Sequence, residues 1–174
     1  TNLLFFGFIR DYKGLDILLE AFEKVLKRNK SVRLMIVGEF YGNKEKYLPI
    51  IEKEGLAEYI YLNDNYIENN EVYKYFCASD ILVQPYKTAS QSGVSQVAYH
   101  FNKPMIVTNV GALPEMVPDG KVGFVTNVDS DEVANAIVKY IEYPDKDFFI
   151  RNILKEKEKY SWEVFVSSLL SVFK

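Results

Sequence analysis

Short apolar runs and longer amphipathic stretches take turns along the chain. Runs such as "NLLFFGF", "VRLMIVG" and "DILVQPY" are almost wholly apolar and end near glycine or proline, which is typical of strands buried on both faces. Between the first two runs, "GLDILLEAFEKVLKRN" places its apolar side chains on one helical stripe: Leu15, Leu18, Leu19, Phe22, Val25 and Leu26. The alternation predicts an α/β fold, a doubly wound parallel sheet with helices on both faces.

The rest of the chain continues this pattern. Further strands are predicted at "YIYLND", "MIVTNV" and "GFVTNV", and further helices at "NEVYKYFCAS" and "SDEVANAIVKYIEY". Another helix is predicted over "KEKYLPIIEKEG", ending at Gly55. Because ligands of such sheets bind beyond the carboxyl ends of the strands, the loops after the strands are the expected place of a functional site.

Two of these loops carry residue types that suit a phosphate group. "KTASQSGV" follows a strand and leads into a helix, where Ser90 or Ser92 is expected to cap the first turn and unpaired N–H groups around Gly93 attract an anion. "GFIRDYKG", after the first strand, adds Arg10 and Lys13. Together the two loops favour a diphosphate clamp, although serine and glycine at a helix start are more often a capping pattern alone.

Longer motifs of the chain resemble one enzyme family. "FFGFIRDYKGLDILLEAF", "LMIVGE", "ASDILVQPY", "NKPMIVTNVGALPE", "DGKVGF" and "YSWEVF" occur in the order and at about the spacing of the carboxyl-terminal, donor-binding domain of the GT-B glycosyltransferases called group 1, or family 4. The resemblance covers nearly the whole chain and implies one Rossmann-like domain, residues 1–174, that holds a nucleotide-diphosphate sugar. It also implies an amino-terminal, acceptor-binding domain that this sequence does not include.

The resemblance implies roles for individual residues. Lys13 matches the family lysine that contacts the donor diphosphate, and Arg10 is expected to add a second charge because the usual arginine position holds Phe8. The other expected contacts are diphosphate binding by Ser92, Gly93 and Val94, sugar binding by Ser90, Gln91, Gly111, Ala112 and Glu115, and base binding by Tyr66 and Ile67. For Glu115, a plain helix start after proline is an equal alternative.

The chain departs from the family pattern at two acidic positions. Family members usually carry two glutamates, one contacting the donor sugar and one the ribose. Here "SQS" at residues 90–92 occupies the region of the first, and Val97 or Ala98 the position of the second. The departure leaves the identity of the sugar and the recognition of the ribose open.

Composition and charge exclude several other classes. The 174 residues carry 21 Lys and Arg against 24 Asp and Glu, a net charge of −3 without a long run of one sign, so no nucleic-acid partner is expected. The single Cys77 cannot form an internal disulfide, which favours a cytoplasmic setting. The resemblance implies a setting at the inner face of a membrane, where peripheral association of the full-length protein is expected. Thr1 stands without a preceding Met, which indicates a piece of a longer protein.

Other residues have mainly structural interpretations. In "DSD", Asp129 and Glu132 have the spacing of a capping box, which favours a helix cap over a metal site. The resemblance also implies an enzyme that needs no metal or other cofactor. His100 is interpreted as a packing or surface residue, Cys77 as a buried thiol, and Trp162 as the anchor of its helix.

These observations predict the donor half of a glycosyltransferase, inactive by itself, that passes a hexose-type unit from a UDP-, GDP- or ADP-linked sugar to a hydroxyl of a glycan or lipid-linked acceptor. The resemblance implies retention of anomeric configuration and a role in polysaccharide or glycoconjugate synthesis. One alternative is a non-catalytic nucleotide-binding module or a subunit of a split transferase, which the missing glutamates keep open. Another is a GT-B-shaped epimerase or phosphorylase, for which the sequence offers no cofactor-bearing lysine pocket.

Overall fold

Six parallel strands form one sheet in the computed structural model, which describes residues 1–42 and 44–172. The strands are β1 (Asn2–Phe6), β2 (Arg33–Val37), β3 (Ile60–Asn63), β4 (Ile81–Gln84), β5 (Met105–Thr108) and β6 (Gly123–Thr126). Their order across the sheet is β3-β2-β1-β4-β5-β6, and every neighbouring pair is parallel. The order reverses between β1 and β4, so the loops that follow these two strands lie side by side.

The helices connect the strands and continue after the last one. They are α1 (Leu15–Leu26), α2 (Leu48–Ile51), α3 (Val72–Ala78), α4 (Gly93–His100), α5 (Leu113–Met116), α6 (Ser130–Ile141), α7 (Asp147–Glu156) and α8 (Trp162–Val172). None of the helices within the described residues is both long and apolar enough to cross a membrane.

The sheet is covered on both faces, because its central strands carry apolar side chains on both sides. On one face, α1 and α6 pack together and bury residues such as Phe22 and Ile137, with Phe149 of α7 beside them. On the other face, α3 and α4 bury Phe76 and Tyr99 against the opposite side chains of the same strands. The Rossmann-like, doubly wound fold is therefore confirmed.

One predicted helix is wrong. Residues 44–55 do not form a continuous helix: they contain a 3₁₀ turn, Lys44–Lys46, and the single turn α2. Only Tyr47 and Ile51 are buried in this stretch, so it lacks the continuous apolar stripe that holds a longer helix against a core. Pro49, in the first turn of α2, also has no N–H with which to extend a helix towards its N-terminus.

Two predicted packing roles are also wrong. Cys77 is exposed, because the short helix α3 buries only Phe76. Trp162 is 77% exposed, and its ring packs edge-on against Phe165 of the same helix. Since α8 buries none of its described residues, Trp162 does not anchor the helix to the domain.

The helix cap predicted for "DSD" is confirmed. The Asp129 carboxylate accepts hydrogen bonds from the N–H groups of Asp131 and Glu132 at the start of α6. Glu132 does not return a bond to Asp129 as in a full capping box; its carboxylate accepts from the N–H and side-chain amide of Asn127. His100 lies exposed at the end of α4, with its ring against Phe101.

Candidate functional site

Three loops meet at the carboxyl ends of β1, β4 and β5. The Lys87 N–H donates to the Tyr12 carbonyl at 2.7 Å, which joins the loop after β4 to the loop after β1. The Ala112 N–H donates to the Ser90 carbonyl at 3.1 Å, which joins the loop after β4 to the loop after β5. The loop "KTASQSG" therefore lies in the middle, supported from both sides.

Lys13 is the buried cation of this site. It ends a 3₁₀ turn, Asp11–Lys13, and is only 7% exposed. A methyl group added to Gly7 would lie 3.1 Å from the Lys13 amine, and the Tyr86 ring centre is 5.6 Å from it. Within residues 1–42 and 44–172, no carboxylate or carbonyl hydrogen-bonds this amine. Burial, and secondly the charge of Arg10, lower its pKa to about 8.

The first turn of α4 faces the same space. A methyl group on Gly7 would also lie 3.4 Å from Cγ2 of Val94, so the Lys13 amine and α4 approach Gly7 together. Gly93 is exposed, and no atom lies within 4 Å of where its side chain would begin. In the described residues, the N–H groups of Gly93 and Val94 have no acceptor. Two unpaired amides at the start of α4 and the amine of a buried lysine thus lie near one another beside Gly7.

The Ser92 side chain does not cap α4 but is held by the side chain of Gln84, at the end of β4. It occupies the N-cap position of α4, but its hydroxyl accepts a hydrogen bond from the Gln84 side-chain amide at 2.7 Å. The same amide donates to the Tyr86 hydroxyl at 3.1 Å, and the Ser95 hydroxyl donates to the Gln84 carbonyl oxygen at 2.8 Å. All four side chains are buried, so this network fixes the start of α4 on the end of β4.

Gln84 and Ser95 were not among the residues predicted for the site. A signal existed for Gln84: it is the one polar residue between the apolar run and the proline of "ILVQP". A buried polar side chain at the end of a strand requires partners, and these are found at the next helix start.

Four charged side chains form ion pairs at the surface of these loops. The Lys87 amine lies 2.8 Å from the Asp16 carboxylate and 3.1 Å from that of Asp11, and Lys46 lies 2.7 Å from Asp11. Hydrogen bonds from Lys46 and Lys87 lower the pKa of Asp11. Asp11, two residues before Lys13 in the chain, is therefore paired with other lysines.

The predicted second cation lies further out. Arg10 is exposed, and its guanidinium is stacked 5.0 Å from the centre of the Tyr41 ring. Phe8, 40% exposed, meets the same Tyr41 ring edge-on at 4.8 Å between ring centres. The structure thus brings Arg10 near Lys13, with an aromatic side chain beneath it.

Tyr66 and Ile67 line a small pocket beyond the ends of β1, β2 and β3. Its volume is about 160 Å³, and its other walls include Phe8, Glu39 and Asn69. Tyr66 is exposed and Ile67 is buried, and the Tyr66 ring lies 6.3 Å from that of Phe8. A larger cavity of about 530 Å³ opens among Asn2, Arg33 and Tyr61, near the amino ends of the strands and away from these loops.

A family model described as glycosyl transferases group 1 matches residues 1–143. The chain belongs to this family. An uncharacterized 41.2 kDa protein in the cps region of Klebsiella pneumoniae is 32% identical over 141 residues, covering 81% of this chain and 36% of that protein. D-inositol 3-phosphate glycosyltransferase of Segniliparus rotundus is 27% identical over 175 residues, covering 98% of this chain and 39% of that protein. The chain thus spans well under half the length of these curated relatives.

Solved structures of other proteins share the fold. HepE of Anabaena, in complex with UDP and glucose, matches 99% of this chain and 47% of its own, with a TM-score of 0.79 and 20% identity. The carboxyl-terminal domain of the group 1 protein LpcC of Francisella tularensis matches 92% of this chain and 86% of its own, with a TM-score of 0.78 and 22% identity. At these identities the similarity concerns the fold.

The residues expected to bind sugar in this group 1 domain lie around the middle loop. Ser90, Gln91 and Gly111 are exposed at its edge, and the Ser90 carbonyl is occupied by the Ala112 N–H. Glu115 lies exposed in the single turn α5 and makes no side-chain hydrogen bond at the helix start.

The positions of the missing family glutamates offer no substitute carboxylate. Val97 is half-buried and Ala98 is buried. Gln96 lies in another groove, with Tyr160 and Trp162. Ribose recognition by an acidic side chain of α4 therefore has no counterpart in this helix.

The lowered pKa of Lys13 predicts that diphosphate binding depends on pH. Below pH 8 the buried amine is charged, and as the pH rises through its pKa of about 8 the charge is lost. Affinity is expected to fall above pH 8, by up to roughly tenfold per pH unit, because the charged fraction of an amine falls about tenfold with each pH unit above its pKa. Calorimetric titration of UDP, GDP and ADP between pH 7 and 9.5 at constant ionic strength measures this.

Lys13→Arg provides the control for this profile, because a guanidinium stays charged throughout that range. The variant should show a nearly flat profile. A flat profile in the wild-type protein would contradict the assignment of Lys13 to the diphosphate.

Proposed function

We propose that this domain binds the nucleotide-diphosphate sugar of a glycosyltransferase that transfers the sugar to an acceptor hydroxyl. The observation that carries the proposal is Lys13, a buried lysine without a counter-ion among the described residues, whose amine lies beside the start of α4, where the N–H groups of Gly93 and Val94 have no acceptor. A buried charge without a partner is unfavourable for the fold, so its retention is best explained by an anionic ligand.

The arrangement suits the departure of a nucleoside diphosphate. Charge develops on the leaving diphosphate in the transition state, and fixed N–H groups with a cation stabilise it without having to reorganise. Amides and lysine would thereby supply the stabilisation that a metal ion supplies in other transferases. The predicted residues fall into two groups by the part of the donor that they would bind. The diphosphate is assigned to Lys13, Arg10, Ser92, Gly93 and Val94, and the base to the pocket of Tyr66 and Ile67.

The finer features of the proposal draw on the relatives. UDP and glucose are bound in HepE, which supports a nucleotide sugar as the ligand here. The relative from the cps region of Klebsiella pneumoniae, and a lipopolysaccharide 1,2-N-acetylglucosaminetransferase of Salmonella typhimurium that is 24% identical over 177 residues, favour a role in polysaccharide or glycoconjugate synthesis. We further propose retention of configuration, a cytoplasmic setting, and an acceptor site in a partner domain, without which the chain is inactive.

A non-catalytic nucleotide-binding module is the second candidate. Val97 and Ala98 favour it, since neither side chain can accept a hydrogen bond from the ribose. Both candidates predict nucleotide binding, and only the transferase predicts turnover by the full-length protein.

The test has two stages. UDP, GDP and ADP are first titrated into this chain by calorimetry, where the absence of binding at millimolar concentration would rule out a donor site. UDP-, GDP- and ADP-sugars are then incubated with the full-length protein, and release of the nucleoside diphosphate is followed with and without added glycan acceptors. Binding without acceptor-dependent release would favour the non-catalytic module.

A further inference from the structure

The pairing of β1 with β2 continues beyond the ends of the two strands. The Gly7 N–H donates to the Val37 carbonyl at 2.9 Å, the Ile9 N–H to the Glu39 carbonyl at 2.8 Å, and the Tyr41 N–H to the Ile9 carbonyl at 2.9 Å. Ile9 and Phe40 form a parallel bridge at this point. The loop segments that carry Arg10 and Tyr41 are therefore held at a fixed separation by backbone hydrogen bonds.

Burial determines which side chains face outwards here. Ile9 is buried in the core on the face of the sheet that α1 and α6 cover. Successive side chains of extended backbone point to opposite sides. Phe8 and Arg10 are both exposed, on either side of Ile9 in the chain. The Tyr41 ring lies next to both, with its centre 4.8 Å from that of Phe8 and 5.0 Å from the Arg10 guanidinium carbon.

The Arg10 guanidinium lies over the Tyr41 ring. Within the described residues, Arg10 forms no salt bridge and donates no side-chain hydrogen bond, since the adjacent Asp11 is engaged by Lys46 and Lys87. A guanidinium stacks well on an aromatic face. Its N–H groups lie in the guanidinium plane and stay available for an anion. Such a contact orients the cation without neutralising it.

Arg10 is close enough to Lys13 for their charges to interact. Its charge is the second cause of the lowered pKa of Lys13, after burial. Two like charges held near each other are unfavourable without a ligand and favourable once a diphosphate lies between them. This makes the orientation of Arg10 relevant to the site, although its side chain is on the surface.

We propose that Tyr41 is a positioning residue whose ring holds the Arg10 guanidinium towards the Lys13 amine, so that both cations meet one diphosphate. The inference rests on the proposed function and adds to it a residue that does not itself touch the phosphates. Phe8 supports the arrangement, because its edge-on contact restricts rotation of the Tyr41 ring.

The test is a double-mutant cycle of Tyr41→Leu and Arg10→Gln, with UDP, GDP and ADP as probes and calorimetry as the measurement. Arg10→Gln should weaken binding roughly tenfold, through the loss of a charge-assisted contact. Tyr41→Leu should weaken it roughly 2- to 10-fold, the range of a cation–π contact. The double variant should bind no more weakly than Arg10→Gln alone, because the ring acts only through the guanidinium.

Three controls separate positioning from structure. Tyr41→Phe keeps the ring and should bind as the wild type does. Tyr73→Leu removes an equally exposed tyrosine, since Tyr41 and Tyr73 are both 52% exposed, and should change nothing. The matching nucleosides, which lack phosphate, should bind Tyr41→Leu and the wild type equally.

The outcomes distinguish this inference from the proposed function. Wild-type affinity for Tyr41→Leu, failure of Tyr41→Phe to retain binding, or losses that add fully in the double variant would each overturn the positioning role and leave the donor site intact. Absence of nucleoside diphosphate binding by the wild type would overturn the donor site, and the positioning role with it.

Discussion

Replacing Lys13 with Met is expected to weaken nucleoside diphosphate binding by roughly 10- to 100-fold, the cost of one or two charge-assisted hydrogen bonds at a desolvated site. Lys13 is 7% exposed and its amine has no competing partner among the described residues, so its full charge is available to the ligand. Calorimetric titration of UDP, GDP and ADP at pH 7 gives the change in affinity. An unbranched apolar side chain of similar length keeps the packing against Gly7 and Tyr86.

Stability should change in the opposite direction to affinity. The pKa of Lys13 is lowered from 10.5 to about 8 in the folded chain, so at pH 7 the fold carries the unfavourable cost of a buried charge. By linkage, stability rises as the pH increases from 8 towards 10.5, and Lys13→Met removes the same cost, on the order of 3 kcal/mol at most. Urea unfolding at pH 7 should therefore show a variant that is at least as stable as the wild type.

Lys27→Met is the matched control, because Lys27 is an exposed lysine at the end of α1. It should leave both affinity and stability nearly unchanged. Unaltered nucleotide affinity in Lys13→Met would contradict the proposed role of the amine. A large loss of stability would instead mean that the charge has a partner in the folded state.

Replacing Gly14 with Ala is expected to lower the free energy of unfolding by roughly 3 kcal/mol or more, the sum of left-handed backbone strain and a backbone clash. Gly14 has a φ of 70°, and a methyl group there would lie 1.9 Å from the Pro85 carbonyl oxygen. Pro85 is buried at the end of β4, so the carbonyl cannot move without displacing the loop after it. Urea denaturation monitored by circular dichroism measures the loss.

Gly120→Ala separates the two contributions. Gly120 has a φ of 69°, almost identical to that of Gly14, but nothing lies within 4 Å of an added methyl group. Only the strain remains there, so the expected loss is about 1 kcal/mol. Equal losses in the two variants would show that the loops after β1 and β4 do not need this close approach.

Most of the sheet could be predicted from the sequence because buried parallel strands are apolar on both faces. A run such as "NLLFFGF" has few alternatives when it is bounded by glycine, and α1 and α6 each bury one continuous stripe. The helix expected at residues 44–55 was wrong because a short stretch can be satisfied by a few isolated contacts. The wrong predictions for Cys77 and Trp162 have a related cause: apolar neighbours in the sequence do not reveal whether another element of the fold covers a side chain.

The site could be predicted in part. The loops after β1 and β4 were expected to lie together from the order of a doubly wound sheet, and they do. Their roles in binding remain predictions. The Gln84 network and the stacking of Arg10 on Tyr41 could not be predicted, because their members lie on separate elements and pair only after the strands align.

The kind of fold and the family follow from the sequence, since period, apolar content and motif order are properties of the chain read along its length. The electrostatics of the site depend on the folded structure. Whether Lys13 is hydrated or buried, and whether a nearby carboxylate pairs with it or with another lysine, depends on distances between segments far apart in the chain. Charge interactions and desolvation are set by those distances, so the same residues in the same order could have formed an ordinary surface loop.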